Sequence, residues 1–451
     1  MQLAYGIKEA RQLLRRRPLM GRAAGPGGPG EKGQAPPALA EGLRRAFGRE
    51  LGPQEAVALI LEEVRQEGDE ALRRYNALLD GWDGDLEVPP QEMEKALAEL
   101  EPGLCRALEA AAGRVRFFHE EQLRHGPSSF VNGGLGQVVR PLERVGLYIP
   151  GTVAIYPSSV LMTAIPARVA GVEEVLVASP PGPQGLVSPV KLAAAAIAGV
   201  DRVFRLGGAQ AVAAFAFGTE AVPRVDKVCG PGGLMVTLAK AQVYGAVGVD
   251  GLFGPSETIV IADDSADPAL CAADLLAQAE HDELSMPVLI TTAPEVAEAV
   301  AEEVEKQLAL LERGEIAATA WQAQGGIAIV GGLEEAVALA NEFAPEHLCL
   351  MVRDVASVLA QVKNAGGVFV GWACPEALGD YILGPSHVMP TEGSARFASP
   401  LTVYDFLKVT AIAGTGEEEL RELGPLAAAI ARAEGLTAHA RAIEMRLEHQ
   451  R

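Results

Sequence analysis

From Arg144 onward the chain alternates two textures, and this alternation limits the folds open to it more than any other feature. Short runs of Val, Ile and Leu recur at 145–149, 175–178, 203–206, 227–229, 257–261, 288–291, 327–330, 349–352 and 368–370, with Ala-rich helical stretches between them. Continuous apolar runs of this length read as strands covered on both faces, which parallel sheets require. Strand, helix and strand in steady succession is the pattern of a doubly wound α/β fold, here expected over two lobes. The 451 residues exceed what one core serves, and 49% apolar content is ample for two.

The ends of the chain read differently. A basic helical stretch at 8–17 leads into residues 21–37, rich in Gly, Pro and Ala, which read as a flexible loop. Helical spacing of Leu, Ala and Val fills 39–79, interrupted at Gly68-Asp69, and then 90–123. The last segment, 424–451, is an amphipathic helix broken at Gly435, and its Ala-rich first half is suited to packing against another surface, plausibly a second subunit. The division expected is an N-terminal extension at 1–40 and a first α/β lobe from 41–145 with 257–335. A second, cofactor-binding lobe follows at 146–256, then a segment at 336–395 and a helical C-terminal arm at 396–451.

Charge and cysteine content exclude several classes. With 38 Lys and Arg against 59 Asp and Glu, the net charge is −21, which argues against nucleic acid or an anionic membrane as partner. Apolar runs such as 193–198 are too short to span a bilayer. Five scattered cysteines, an odd number without a C-x-x-C pair, together with no signal peptide, point to a reducing cytoplasm. Cysteine-held metal is not expected.

Chemistry is concentrated in a few segments. Asp267 and Pro268 open an apparent helix at 267–281, with Asp267 as N-cap, that places Gln278 and His281 three apart on one face, half of a metal site. Glu346 and His347 follow Pro345, and a turn there would let a carboxylate and an imidazole flank one substrate. Consecutive side chains diverge, so they are not expected to pair with each other. Asp380 and His387 lie on one Gly- and Pro-rich loop. Ser256, just before a strand, either touches a ligand or caps a turn. Glycine-rich turns at Pro150-Gly151, Gly207-Gly208 and Gly230-Pro231-Gly232-Gly233 precede helices and suit an anion such as a pyrophosphate, though each also reads as an ordinary tight turn. None fits G-x-G-x-x-G.

Taken in order, these motifs resemble those of histidinol dehydrogenases. The likeness runs from Val64-Arg65-Gln66-Glu67-Gly68-Asp69 through the run 144–151, the run 157–167, Gly207-Gly208-Ala209-Gln210-Ala211 and Gly254-Pro255-Ser256-Glu257. It continues through Gln278-Ala279-Glu280-His281-Asp282, Ala344-Pro345-Glu346-His347, Gly379-Asp380-Tyr381 and His387-Val388-Met389-Pro390-Thr391, and ends at Glu434-Gly435-Leu436-Thr437-Ala438-His439. The resemblance implies a zinc-dependent enzyme that oxidises L-histidinol to L-histidinaldehyde and then to L-histidine with two NAD, closing histidine biosynthesis. It implies Gln278, His281, Asp380 and His439 as zinc ligands, and Glu346 and His347 as the acid–base residues. Ser256, His387 and Glu434 would contact substrate, as would the zinc ligands and the acid–base pair. Tyr148, Gln210 and Gly233 would lie at the NAD site. It further implies a homodimer in which His439 comes from the partner chain. Two positions depart from the family pattern: Gly233 stands where Asn is usual, and Thr152 where Gly is usual.

Three other readings compete. A paralogue of the same fold would oxidise another amino or sulfonated alcohol. A metal-dependent hydrolase would need no NAD. A cysteine-based aldehyde dehydrogenase would need a reactive thiol, for which Cys229 is the only tempting residue, and a buried strand-end cysteine reads better as structural.

Overall fold

The computed structural model describes residues 2–15, 37–151, 155–182 and 184–449. Thr152 and the Gly- and Pro-rich stretch at 21–36 lie outside the described residues. The chain divides into two compact units, Met1–Arg124 with Leu142–Phe406, and His125–Pro141 with Leu407–Arg451.

The larger unit is built on two six-stranded sheets, and all nine strands expected from the apolar runs are present. The first sheet runs, in spatial order, Gln2–Tyr5, Gly326–Ile329, Met286–Thr291, Glu257–Ala262, His347–Met351 and Gly367–Val370, all parallel. The second runs Glu87–Val88, Arg202–Arg205, Glu174–Ser179, Arg144–Tyr148, Lys227–Cys229 and Gly248–Val249, parallel except for its short first strand. Alternation along the strands supplies a core on each face of the first sheet. In the first sheet Val260, Leu289, Ile327 and Cys349 face one way, onto Leu275, Val300 and Trp321. Ile259, Ile261, Val288, Ile290 and Leu350 face the other, onto Ala10, Leu13, Val337 and Phe343. Truncating one of these, as in Leu289→Ala, would cost about 2–5 kcal/mol, because a sheet packed on both faces cannot collapse into the gap.

The sheets group the chain differently from the sequence-based division. Residues 1–40 are not simply an extension, since Gln2–Tyr5 is the edge strand of the first sheet, paired to Gly326–Ile329. Gly326 makes this fit possible, because a Cβ there would run into Leu13 and the Gln2 carbonyl. Helix Pro53–Glu67 packs on helices Gly208–Phe217 and Leu234–Val243, so residues after 41 cover the second sheet, not the first. Residues 336–395 are no separate segment: they add strands His347–Met351 and Gly367–Val370 to the first sheet. Periodicity shows which segments are strands; it does not show which sheet a flanking helix will cover.

The smaller unit holds a three-stranded antiparallel sheet, Leu407–Ala413 against Leu135–Pro141 against Phe130–Asn132. Its hairpin turns on Gly133-Gly134, both at positive φ (56° and 81°), the dipeptide that two-residue hairpins favour. Helices Glu417–Ala433 and Thr437–His449 pack on each other through Ala428, Ala431 and Ala440. They break where expected, at Gly435 (φ 78°). Leu426 and Ile430 stay exposed, each at 62%. Among the described residues no helix is long and apolar enough to cross a membrane.

Candidate active site

The expected catalytic residues gather at the starting edge of the first sheet. Helix Leu333–Phe343 ends at Ala344, held at φ 55°, and Pro345 then turns the chain into strand His347–Met351. This kink aims two neighbouring side chains into one buried space. The Glu346 carboxylate accepts the backbone N–H of Glu257 at 3.2 Å. His347 Nε2 lies 3.3 Å from Asp380 Oδ1, and its ring stacks on Phe369 at 5.6 Å between centroids. Glu346 Oε2 and His347 Nδ1 are 3.7 Å apart, close enough for charge to act but too far for a hydrogen bond. The two side chains therefore interact more than their adjacency suggests.

Helix Pro268–Ala279 brings in the next residues. Asp267 caps it as expected, accepting the Ala269 N–H at 2.9 Å. The helix stops at Ala279, so His281 is not on a shared helix face: it sits on the following turn, its N–H donating to the Gln278 carbonyl at 3.2 Å. Gln278 Nε2 donates weakly to Asp380 Oδ2 at 3.5 Å, and its buried Oε1 has no partner. Asp380 lies on a short helix, Glu376–Tyr381, rather than in an irregular loop. His387 Nδ1 donates to the Asp380 carbonyl at 2.7 Å, while its Nε2 meets Ser159 Oγ at 2.9 Å. Ser256 stands on the same edge, its carbonyl accepting the Met286 N–H at 2.9 Å.

The electrostatics follow from burial around one carboxylate. Burial raises Glu346 to about 8, although the His347 charge beside it pulls the other way. Burial also opposes the charged form of His347, but Glu346 and the hydrogen-bonded Asp380 outweigh it and lift the ring to about 10. Asp380 is disfavoured as an anion by burial, yet His347 and the fields of His387 and His281 hold it below the usual carboxylate range. His281 and His387 are pushed down, first by burial. Neutral imidazole is the form that binds metal.

Zinc suits part of this arrangement. Gln278 offers an orphaned buried oxygen, His281 a ring kept neutral, and Asp380 an anion, which is a nitrogen and oxygen donor set of the catalytic kind. Among the described residues no three His, Cys, Asp or Glu side chains are arranged to hold an ion by themselves. Such a site needs Gln278 and a further donor.

A second cluster lies at the finishing edge of the second sheet. Tyr148 is buried, and its hydroxyl accepts the Gly208 N–H at 3.2 Å. Gln210 Nε2 donates to Asp80 Oδ2 at 3.0 Å, leaving its buried Oε1 without a partner. That orphaned oxygen, beside Gly208 at the edge where parallel sheets receive nucleotides, suits a polar group of a dinucleotide. Gly230, at φ 112°, presses against the Tyr148 carbonyl so closely that no Cβ could stand there. Gly233 is the N-cap of helix Leu234–Val243, exposed, with nothing within 4 Å of a Cβ built on it.

A family model for histidinol dehydrogenase matches residues 45–447. The chain is 50% identical over 424 residues to a histidinol dehydrogenase of Deinococcus radiodurans, covering 92% of this chain and 95% of that protein. It is 52% identical over 404 residues to one from Thermus thermophilus, covering 89% and 97%. The crystal structure of histidinol dehydrogenase from Elizabethkingia anophelis superposes with a TM-score of 0.88 at 32% identity, covering 100% of this chain and 98% of that one. The chain belongs to the histidinol dehydrogenase family. It is an oxidoreductase with the α/β fold that its sequence led us to expect.

Two residues expected at a histidinol dehydrogenase site, Glu434 and His439, belong to the smaller unit. Glu434 is the C-cap of helix Glu417–Ala433, His439 lies in the first turn of the next helix, and both are exposed. Other residues at the site were not anticipated. Glu376 is fully buried beneath His347, accepting Thr258 Oγ1 at 2.7 Å and the Cys349 thiol at 3.5 Å, and burial lifts it to about 8. Asp274, one turn before Gln278, is raised to about 6 by burial. Asp80 ends a π-helical turn, Asn76–Asp80, of the sort that recurs at functional sites. The sequence offered little signal for them, because a lone acid beside Pro or Gly, as Glu376 and Asp80 are, reads as a cap or a turn, and Asp274 reads as one polar position of a helix. Cys229 is buried and its thiol pushed well up by burial, the opposite of a reactive nucleophile.

Proposed function

We propose that this chain oxidises L-histidinol to L-histidine through L-histidinaldehyde, using two NAD in turn and one zinc ion, as the last step of histidine biosynthesis. The observation that carries the reading is the convergence at one buried sheet edge of Gln278, His281, Glu346, His347, Asp380 and His387, from three separate stretches of chain. Zinc would be held by Gln278, His281 and Asp380 with His439 supplied by the partner chain of a homodimer. When bound it would anchor the amino and imidazole groups of the substrate, and NAD would accept the hydride.

The proton chemistry falls to the protein. His347 takes the hydroxyl proton in the alcohol step and returns to its neutral form between steps. Glu346 and Asp380 hold the ring charged, and a cation engaging Asp380 would remove part of what keeps it protonated. Glu346 then activates water for addition to the aldehyde. A carboxyl raised to about 8 sits close to the operating pH, where a general base performs best. His387, fixed at both nitrogens, with Ser256 and Glu434, would orient the substrate. Tyr148, Gln210 and Gly233 would line the NAD site.

The deciding experiment supplies metal-reconstituted protein with histidinol and counts NADH. Two NADH per histidinol consumed supports the reading, and faster turnover of another amino or sulfonated alcohol replaces the substrate.

A further inference from the structure

The second sheet carries a buried cation that its own fold does not neutralise. Lys191 is 5% exposed and lies in the first turn of helix Pro189–Ala198. Its Nζ donates to the Pro150 carbonyl at 2.7 Å and to Ser179 Oγ at 2.8 Å, and neither acceptor is charged. Among the described residues no carboxylate pairs with it, and burial, with nothing opposing it, pushes it down to about 8. It is therefore still mainly charged at neutral pH. The positive end of its own helix adds to the local potential rather than offsetting it. A fold that merely needed to fill this space would be served by Leu or Met, since an uncompensated buried ammonium is costly.

Location says what the charge is for. Ser179 ends strand Glu174–Ser179, and Pro150 follows strand Arg144–Tyr148. The Nζ thus sits at the finishing edge, between two central parallel strands. Strand order turns at Arg144–Tyr148: Glu174–Ser179 and Arg202–Arg205 follow on one side, Lys227–Cys229 and Gly248–Val249 on the other. Sheets of this kind take nucleotides outside the carboxyl ends of the strands at such a switch point. Tyr148 and the orphaned Gln210 oxygen lie on the same edge. Finally, Gly151 is exposed, and a Cβ built on it would collide with Lys191 Nζ. Any side chain at 151 would displace the ammonium.

We propose that Lys191 is the phosphate-binding cation of the dinucleotide site, with the pyrophosphate of NAD as its ligand. This rests on the NAD reading given above. The test uses the full chain and calorimetric dissociation constants for NAD, ADP, adenosine and inorganic phosphate. Lys191→Met removes the charge and keeps the bulk. It should weaken NAD and ADP by about tenfold or more, the scale of a hydrogen bond to a charged group, and leave adenosine unchanged. Gly151→Ala keeps the lysine but displaces its ammonium, and should weaken NAD by a similar factor even if Lys191→Met fails to fold. Equal NAD affinity in parent and variants overturns the proposal while the NAD reading stands, and an equal loss for adenosine also overturns it, as a packing effect. A parent that binds neither NAD nor ADP fails the NAD reading itself and this proposal with it. A parent that binds inorganic phosphate at Lys191 but not NAD assigns a free anion there and overturns the dinucleotide.

Discussion

Replacing Glu346 by Gln should separate the two proposed oxidations, with a size set by the loss of a general base. Glu346 stands at about 8, so at pH 7 roughly one carboxyl in ten is ionised and able to accept a proton from water. Oxidation of added histidinaldehyde by the parent should therefore rise almost tenfold per pH unit below about 7 and level off above about 8. In Glu346→Gln that limb should vanish, and the aldehyde step should fall by at least ~10²-fold, the lower end for a lost general base. Hydride removal from histidinol should suffer less. The fold is not expected to fail, because Gln still accepts the Glu257 N–H that Glu346 accepts at 3.2 Å. The linkage sign agrees: a carboxyl raised from 4.5 to about 8 disfavours the folded state progressively as pH rises between those values. Glu346→Gln is thus no less stable than the parent at pH 8, measurable by thermal unfolding. Stopped-flow NADH absorbance with each substrate from pH 5.5 to 9.5 reads the kinetics. A pH limb that persists in Glu346→Gln, or near-parent aldehyde oxidation, refutes the assignment.

Other outcomes follow from the same geometry. His347→Asn should slow both oxidations by ~10²-fold or more, since it serves both steps; stopped-flow rates that differ from the parent in only one step would contradict this. His281→Ala should lose most bound zinc by metal analysis, and because burial holds His281 below its ordinary value, parent zinc retention should persist to pH below 6.5 before protonation competes. Mixing inactive His281→Ala with inactive His439→Ala should restore activity if each site draws on two chains, as a mixed dimer holds one intact site; no recovery after verified subunit exchange puts His439 in its own chain's site or in none. A Cβ at Gly233 meets no atom within 4 Å, and the position is an N-cap that Asn favours, so Gly233→Asn should fold normally and tighten NAD severalfold in a calorimetric titration.

What could be read in advance was whatever depends on local pattern. Nine apolar runs became nine strands because a parallel strand covered on both faces is mostly apolar, and Glu257–Ala262 and Met286–Thr291 are buried at every residue. The Asp267 cap, the break at Gly435 and the kink before Glu346 were equally local. What could not be read depends on contacts between distant segments. Strand Gln2–Tyr5 pairs only because Gly326, more than three hundred residues away, leaves room for it. Lys191 is one of nine lysines in the sequence, and its place beneath Gly151 is what sets it apart. The same holds for Glu376, whose importance lies in its three-dimensional neighbours Thr258 and Cys349.

The two sites occupy opposite kinds of sheet edge, and this has a mechanical consequence. The proposed nucleotide cluster lies at the finishing ends of the second sheet, as parallel folds prefer, whereas Glu346, His347 and the proposed metal ligands lie at the starting ends of the first. One sheet must therefore carry its reactive groups on the edge such folds usually leave plain, and the polar side chains there need support from outside their own lobe. Helix Pro157–Ala170, which packs on strands of the second sheet, supplies it. Its Ser159 holds His387 Nε2 at 2.9 Å, its Met162 carbonyl accepts Ser386 Oγ at 3.0 Å, and His387 in turn holds the Asp380 carbonyl at 2.7 Å. A shift of that helix is transmitted through three short hydrogen bonds to the carboxylate beside His347. Hydride transfer tolerates little error in distance, and this path ties the lobe that would present the acceptor to the residues that would hold the donor.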